Sequence, residues 1–203
     1  VVDTPLSLDS ANPKALAVAI EAVDKTPLIN SISGEPQRLE DILPLVAEHN
    51  CRVIALAMDG KQIPEAAEDR VGIIHKVMST TRAAGVPDEH IYVDPLAMTI
   101  GTKNDSGVTF IDTLKAVQAA YPEVHFTAGL SNISFGLPAR SYVNRAFLAL
   151  ALAAGLDSAI LDPLDRELKA ALLAAQLVLG RDRHCLNYTR AYRAGVFDKP
   201  EKK

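Results

Sequence analysis

Short apolar runs alternate along the chain with longer segments of helical period. Leu6 to Asp9 reads as a strand, and Asn12-Pro13 then supplies an N-cap and a first-turn proline for a helix to about Val23. Pro27 to Ile32 is the next strand, with a helix from about Pro36 to His49. Arg52 to Met58 (RVIALAM) is a continuous apolar run, the pattern of a strand buried on both faces. A long helix follows from about Glu65 to Ala84 and stops at Gly85, with Pro87 just beyond. Ile91 to Pro95 is the fourth strand and Thr109 to Ala120 its helix. His125 to Leu130 and a helix from about Ser141 to Ala154 make the fifth unit. Ser158 to Asp162 and a helix from about Asp165 to Leu179 make the sixth.

Strict alternation of this kind implies an α/β protein with a parallel sheet and right-handed crossovers. Two architectures compete. A doubly wound sheet accommodates six strands, whereas a (β/α)8 barrel needs eight and takes roughly 250 residues. No glycine-rich phosphate loop follows any strand, which weakens the nucleotide-binding form of the open sheet. Periodicity leaves the choice open.

Charge changes the picture at the C-terminus. Residues 181–203 hold seven Lys/Arg and three Asp/Glu, net +4, and the whole chain carries −4, so residues 1–180 carry −8. The expected division is an α/β domain over 1–180 and a C-terminal amphipathic helix with a basic tail over 181–203. Leu186, Tyr188, Tyr192, Val196 and Phe197 are the apolar positions expected to pack back on the body. The acidic balance argues against a general nucleic-acid binder. The longest uncharged apolar run, Ala146 to Leu156, is far short of the roughly 20 residues of a membrane span. Two cysteines, Cys51 and Cys185, make neither a disulfide framework nor a structural zinc site, and a cytoplasmic setting is expected. The chain opens on Val1 and enters a strand at once, so a preceding segment is expected.

The strand ends carry the chemistry. Four of the six strands finish on a small polar or acidic residue: Asp9 in LSLD, Asn30 and Ser31 in LINS, Asp94 in IYVD, and Ser131 and Asn132 after FTAGL. In a parallel α/β protein these ends line the ligand crevice. Asp9, Asn30, Asp94 and Asn132 would converge on one pocket. Two carboxylates and two carboxamides there could read both the donors and the acceptors of one flat heterocycle. Each residue alone also fits a turn or a helix cap. Asp162-Pro163 repeats the pattern more weakly, since Asp165 follows as a separate cap.

Other side chains are poorer candidates. His49 and His75 fall in helices, His90 in a turn, His125 at a strand start and His184 in the tail, without metal-ligand spacing. Cys51 is expected to pack beneath its strand. No nucleophile elbow is present, and covalent catalysis by the protein is not expected. Lys61, in the loop after the third strand, reads as a solvated lysine or as an attractor for an anionic ligand tail.

The segments LSLDS (6–10), LINSIS (28–33), YVDPL (92–96), GLSNISFGLP (129–138) and NRAFLALALAAGLDSAI (144–160) resemble, in order, those of the pterin-binding methyltransferases. The group most similar is the methyltetrahydrofolate:corrinoid methyltransferases. The folate domain of cobalamin-dependent methionine synthase is related, and dihydropteroate synthase is more distant. GLSNISFG is the specific element.

The resemblance implies a (β/α)8 TIM barrel of the pterin-binding type. The six units would be strands three to eight, with the first two units absent from this sequence along with further pocket residues. It implies that Asp9, Asn30 and Asp94 hydrogen-bond the pterin ring and that Asn132 approaches N5. Ser31 and Phe135 become wall residues, and Arg140, placed in the loop after SFGLP, holds that loop or the ligand. It further implies one-carbon chemistry: the N5-methyl of methyltetrahydrofolate passes to cob(I)alamin, a corrinoid carried by a partner corrinoid protein. A homodimer is the habit of the family.

That chemistry asks the protein to stabilise charge at N5 and to align two reactants, not to supply a nucleophile. The alternatives are a dihydropteroate synthase, a methionine-synthase-type folate module and a non-catalytic pterin-binding remnant. A dihydropteroate synthase would carry a glycine-rich stretch with a lysine after Asp94-Pro95 and a Ser-Arg motif at strand seven. This chain has Leu96-Ala97-Met98 and Ser131-Asn132.

Overall fold

The computed structural model describes residues 2–60 and 62–197. Lys61 and the end of the basic tail, 198–203, lie outside the described residues. Five parallel strands form one sheet: β1 (Ser7–Asp9), β2 (Leu28–Ile32), β3 (Arg52–Leu56), β4 (Ile91–Asp94) and β5 (His125–Phe126). Their spatial order is their chain order, β1-β2-β3-β4-β5. A doubly wound sheet must reverse direction at a switch point. A sheet that only adds strands in sequence, each through a right-handed crossover, keeps all its helices on one side and curls as a barrel does. Strand order therefore decides what periodicity left open.

The sixth strand is reduced to a single parallel bridge, Gly129 to Ile160. The Ile160 N–H donates to Ala128 O at 2.8 Å and the Leu130 N–H donates to Ile160 O at 3.2 Å. β5 is likewise shorter than its apolar run, ending at Phe126, and from Leu130 to Ser134 the chain winds into a tight helical turn. Among the described residues the sheet is not closed: β1 pairs with β2 alone.

The helices are α1 (Pro13–Glu21), α2 (Pro36–Glu48), α3 (Ala67–Ala83), α4 (Ser106–Ala120), α5 (Arg140–Ala154), α6 (Arg166–Val178) and α7 (Leu186–Arg193). Asn12 caps α1 as its position suggested, its side-chain oxygen accepting from the N–H groups of Lys14 (3.0 Å) and Ala15 (3.4 Å). Asp165 caps α6 by accepting from Leu168 N at 2.9 Å. Each of these helices buries one stripe: Leu16 and Ile20 on α1, Leu39, Ile42, Leu43 and Val46 on α2, and Ile74, Val77 and Met78 on α3. Phe110 of α4 meets Phe147 of α5 edge-on, with ring centroids 5.0 Å apart. With the strand residues Ile29, Val53, Ile91 and Val93 they form one continuous core. Cys51 is buried within it, as expected.

Helix α7 forms where the tail pattern placed it, but its packing is partial. Asp182 accepts from the N–H groups of Asn187 and Tyr188 at its start, and Tyr188 packs against Phe197 with ring centroids 4.8 Å apart. Leu186 and Tyr192 remain exposed. α6 is the helix it packs on, and one neighbour cannot cover both its apolar sides. None of the helices, among the described residues, is long and apolar enough to cross a membrane.

Candidate active site

The face at the C-terminal ends of the strands gathers the polar residues. Asp9 and Asn30 are register partners on β1 and β2, and Asn30 Nδ2 donates to Asp9 Oδ2 at 3.2 Å. The register slips after Asn30, so Ile32 rather than Ser31 pairs with Ala55. That irregularity turns Ser31 out of the ladder at the rim. Gly34 follows, and its N–H donates to Met58 O at 2.7 Å. A Cβ there would meet Ile73 Cγ2 at 2.9 Å and Met58 O at 3.2 Å, so only glycine lets the β2 and β3 loops meet this closely.

Asp94 ends β4, level with Leu56, two strands and thus about 10 Å across from Asn30. It is 8% exposed. Its Oδ1 accepts from Leu96 N at 2.8 Å, and the Gly129 N–H also reaches it. Burial pushes its carboxyl pKa up to about 6, while the two backbone N–H groups and the charge of Arg70 pull the other way. Asp94 thus both starts a turn and ends a strand on this face.

Asn132 sits in the tight turn after β5. Its backbone N–H donates to Gly129 O at 3.1 Å, and its exposed carboxamide lies against the Cα of Gly129. Gly129 therefore joins Asn132 to Asp94, so two groupings stand on the face: Asp9 with Asn30, and Asp94 with Asn132. Arg140 is the first residue of α5 rather than a loop residue. Its Nη2 donates to Ser131 O at 2.7 Å and its Nε to Ser134 Oγ at 3.0 Å, while Ser134 Oγ donates to Asn144 Oδ1 at 2.7 Å. The guanidinium stands 5.8 Å from the ring of Phe135, which is 68% exposed at the rim. The β4 loop is stitched to the same turn, Thr99 Oγ1 donating to Phe135 O at 2.6 Å and Ile100 N to Ile133 O at 3.0 Å.

Two further arginines support this face, and sequence reasoning missed both. Arg38, in the first turn of α2, donates to Ser31 O (2.8 Å), Ala11 O (2.7 Å) and Ser10 O (2.9 Å), tying the loop after Asp9 to the loop after Asn30. Arg70, in the first turn of α3, is buried and donates to Pro64 O, Pro95 O and Leu96 O. A cation in the first turn of a helix opposes the helix dipole. Arg38, Arg70 and Arg140 all do so, and that recurring misplacement was the legible signal. Asp162, by contrast, only caps its own turn, Oδ1 accepting from Leu164 N at 2.9 Å.

Carboxylates and carboxamides thus stand at the strand ends of a partial parallel barrel, where they offer both acceptors and donors. The chain belongs to the pterin-binding enzymes: the family described as "Pterin binding enzyme" matches residues 1–162. Among its relatives is the methylcorrinoid:tetrahydrofolate methyltransferase of Eubacterium limosum, 36% identical over 196 residues, which are 96% of this chain and 72% of that protein. The methionine synthase of Mycobacterium tuberculosis is 34% identical over 168 residues, 77% of this chain and 14% of that protein. Of solved structures, the dihydropteroate synthase of Xanthomonas albilineans in complex with 7,8-dihydropteroate superposes with a TM-score of 0.63 at 20% identity, covering 89% of this chain and 67% of that one. The dihydropteroate synthase of Coxiella burnetii in complex with pteroic acid gives 0.68 at 14%, covering 87% and 67%. These structures share the fold. The chain spans about two thirds of their length.

Proposed function

We propose that the chain catalyses transfer of a methyl group between N5 of a tetrahydrofolate and the cobalt of a corrinoid held by a partner corrinoid protein. The observation that carries this reading is the 36% identity with a methylcorrinoid:tetrahydrofolate methyltransferase along 96% of the chain. That relative's name writes the transfer toward tetrahydrofolate, the opposite sense to the one expected from the sequence. A catalyst lowers one barrier for both senses, and the supply of substrates sets the direction.

In the reaction toward the corrinoid, the N5–methyl bond breaks and a cobalt–carbon bond forms. N5 keeps the electron pair of the broken bond and takes up a proton. The corrinoid supplies the nucleophile as a second substrate. The work left to this chain is to bind the pterin, to hold its methyl group toward the open face and to stabilise the changing charge at N5. We assign Asp9, Asn30 and Asp94 to the pterin edge, where the carboxylates accept from ring N–H and amino groups. Asn132 is assigned to N5, because a carboxamide both donates and accepts and so follows N5 as its charge changes. Ser31 and Phe135 flank the ring, and Arg140 holds the Asn132 turn in place.

The resemblance also supports a homodimer in the cytoplasm, with residues 1–180 as the catalytic barrel and residues 181–203 as an appended basic segment. Cys51 and Cys185 are both free thiols, which suits a reducing compartment. Sedimentation velocity tests the dimer.

The functional reading is tested anaerobically by mixing the protein with methyltetrahydrofolate and cob(I)alamin and following loss of the cob(I)alamin absorption. Protein-dependent loss is expected. A folded protein that leaves the absorption unchanged overturns it in favour of a pterin-binding chain without turnover.

A further inference from the structure

Arg70 is 2% exposed, although nothing in its local sequence calls for a buried cation. A buried guanidinium is costly unless its donors are satisfied. Here they are satisfied by carbonyls of two neighbouring loops. Nε donates to Pro64 O at 2.8 Å in the β3 loop, and Nη1 donates to Pro95 O at 2.7 Å and Leu96 O at 2.8 Å in the β4 loop. All three acceptors lie on the site face, and two of them directly follow Asp94.

Leu96 is the second observation. It adopts a left-handed backbone with φ 67°, which a branched apolar residue rarely accepts without outside support. In that conformation its N–H points back and donates to Asp94 Oδ1 at 2.8 Å. Arg70 grips the carbonyl of the same residue. The chain of contacts runs from guanidinium to Leu96 carbonyl, through the Leu96 peptide N–H, to the carboxylate.

We infer that Arg70 is a positioning residue of this site, whose buried guanidinium holds the Pro95–Leu96 turn in the one shape that presents the Asp94 carboxylate to the ligand. The inference rests on the pterin-binding reading for what that carboxylate meets. Arg70 acts on Asp94 in a second way as well. The groups facing the Asp94 carboxyl are the Leu96 and Gly129 N–H groups and the single charge of Arg70, which favours the ionised form against the pull of burial. Asp94 in turn favours the charged form of Arg70, whose pKa burial lowers.

The test titrates the Asp94 side-chain carboxyl by carbon-13 NMR in the ligand-free protein, the Asp94→Asn variant supplying the assignment. The wild-type midpoint is expected at about 6. In Arg70→Gln the midpoint should rise, since both the Leu96 N–H that Arg70 holds in place and the guanidinium charge favour the ionised carboxyl. Arg70→Lys keeps the charge and should fall between the two. An unmoved midpoint in folded Arg70→Gln overturns the inference. Should Arg70→Gln fail to fold, Arg70→Lys carries the test through amide exchange. Lysine cannot span the three carbonyls, so the Leu96 N–H should exchange about tenfold faster or more while the core amides are unchanged. Equal exchange at Leu96 overturns the inference. Methyltetrahydrofolate binding is measured separately on the wild type. Failure to bind there counts against the functional reading alone, because the carboxyl titration needs no ligand.

Discussion

The carboxamide of Asn132 rests on the bare Cα of Gly129: a Cβ built on Gly129 would stand 2.9 Å from Asn132 Nδ2 and 3.7 Å from Cγ. The backbone of Gly129, at φ −71°, accepts alanine without strain. Gly129→Ala therefore displaces Asn132 and little else. Its turnover should fall about tenfold or more, as expected when one preorganised donor is misplaced, with pterin affinity changed far less. Asn132→Ala should likewise lose more rate than affinity, and the double variant should lose no more than Asn132→Ala alone. Equal losses of rate and affinity in Asn132→Ala would remove Asn132 from its assigned place.

The pair Asp9–Asn30 makes a different prediction. Both side chains lie at the rim of the sheet, so Asn30→Ala should change stability by no more than about 0.5–1 kcal/mol. Pterin affinity should drop about tenfold or more in Asn30→Ala and in Asp9→Ala, because each would remove the ring hydrogen bonds proposed for that residue. Calorimetric titration with methyltetrahydrofolate checks it, and wild-type affinity in both variants would exclude this edge from the site.

Asp94 should cost the fold stability. Its carboxyl is raised from 3.8 to about 6 on folding, so the native state binds the proton more tightly than the unfolded state does. This group's contribution is full below pH 4 and is lost as pH rises through about 6. At 1.36 kcal/mol per unit the loss at pH 7 is about 3 kcal/mol. Asp94→Asn should therefore be more stable than wild type at pH 7, by about 1–3 kcal/mol, and no more stable at pH 4. Its pterin affinity should nonetheless fall. Denaturant unfolding at the two pH values, with a binding titration at pH 7, measures both signs. A variant less stable at both values would contradict the burial argument.

Arg140 holds the Asn132 turn from outside through Ser131 O and Ser134 Oγ. Arg140→Met should destabilise by about 1 kcal/mol and lower turnover in the direction of Asn132→Ala. Arg140→Lys reaches only one of the two acceptors and should recover part of the rate. A full rate in Arg140→Met would show that the turn holds its shape without the guanidinium.

How far these residues were legible depended on the distance over which each acts. Asp9, Asn30 and Asp94 end apolar runs, so strand periodicity alone put them at the same end of the sheet. Asn132 was legible as a polar residue after FTAGL, but its turn was not, because the winding over Leu130–Ser134 is held in part by Ile100 N and Thr99 Oγ1 from another loop. Arg38 and Arg70 stand out locally only as cations in the first turn of a helix; what they hold is set by acceptors as far as 28 and 26 residues away. The shortening of the sixth strand to the Ile160 bridge was hidden for a related reason. A parallel strand exists only to the length at which its neighbour offers a matching edge.

The order of strands and helices, the caps at Asn12 and Asp165, the buried stripes and the polar strand ends all follow from local pattern along the chain. Side-chain chemistry and the periods of helix and strand act within a few residues and need no knowledge of the whole. The stacking of the strands in chain order, the burial of Asp94 against Leu96 and Gly129, and the binding of loops by arginines in the first turns of three helices arise in three dimensions. Those outcomes depend on which carbonyls and which low-dielectric surroundings a charged group meets, and folding alone brings such groups together.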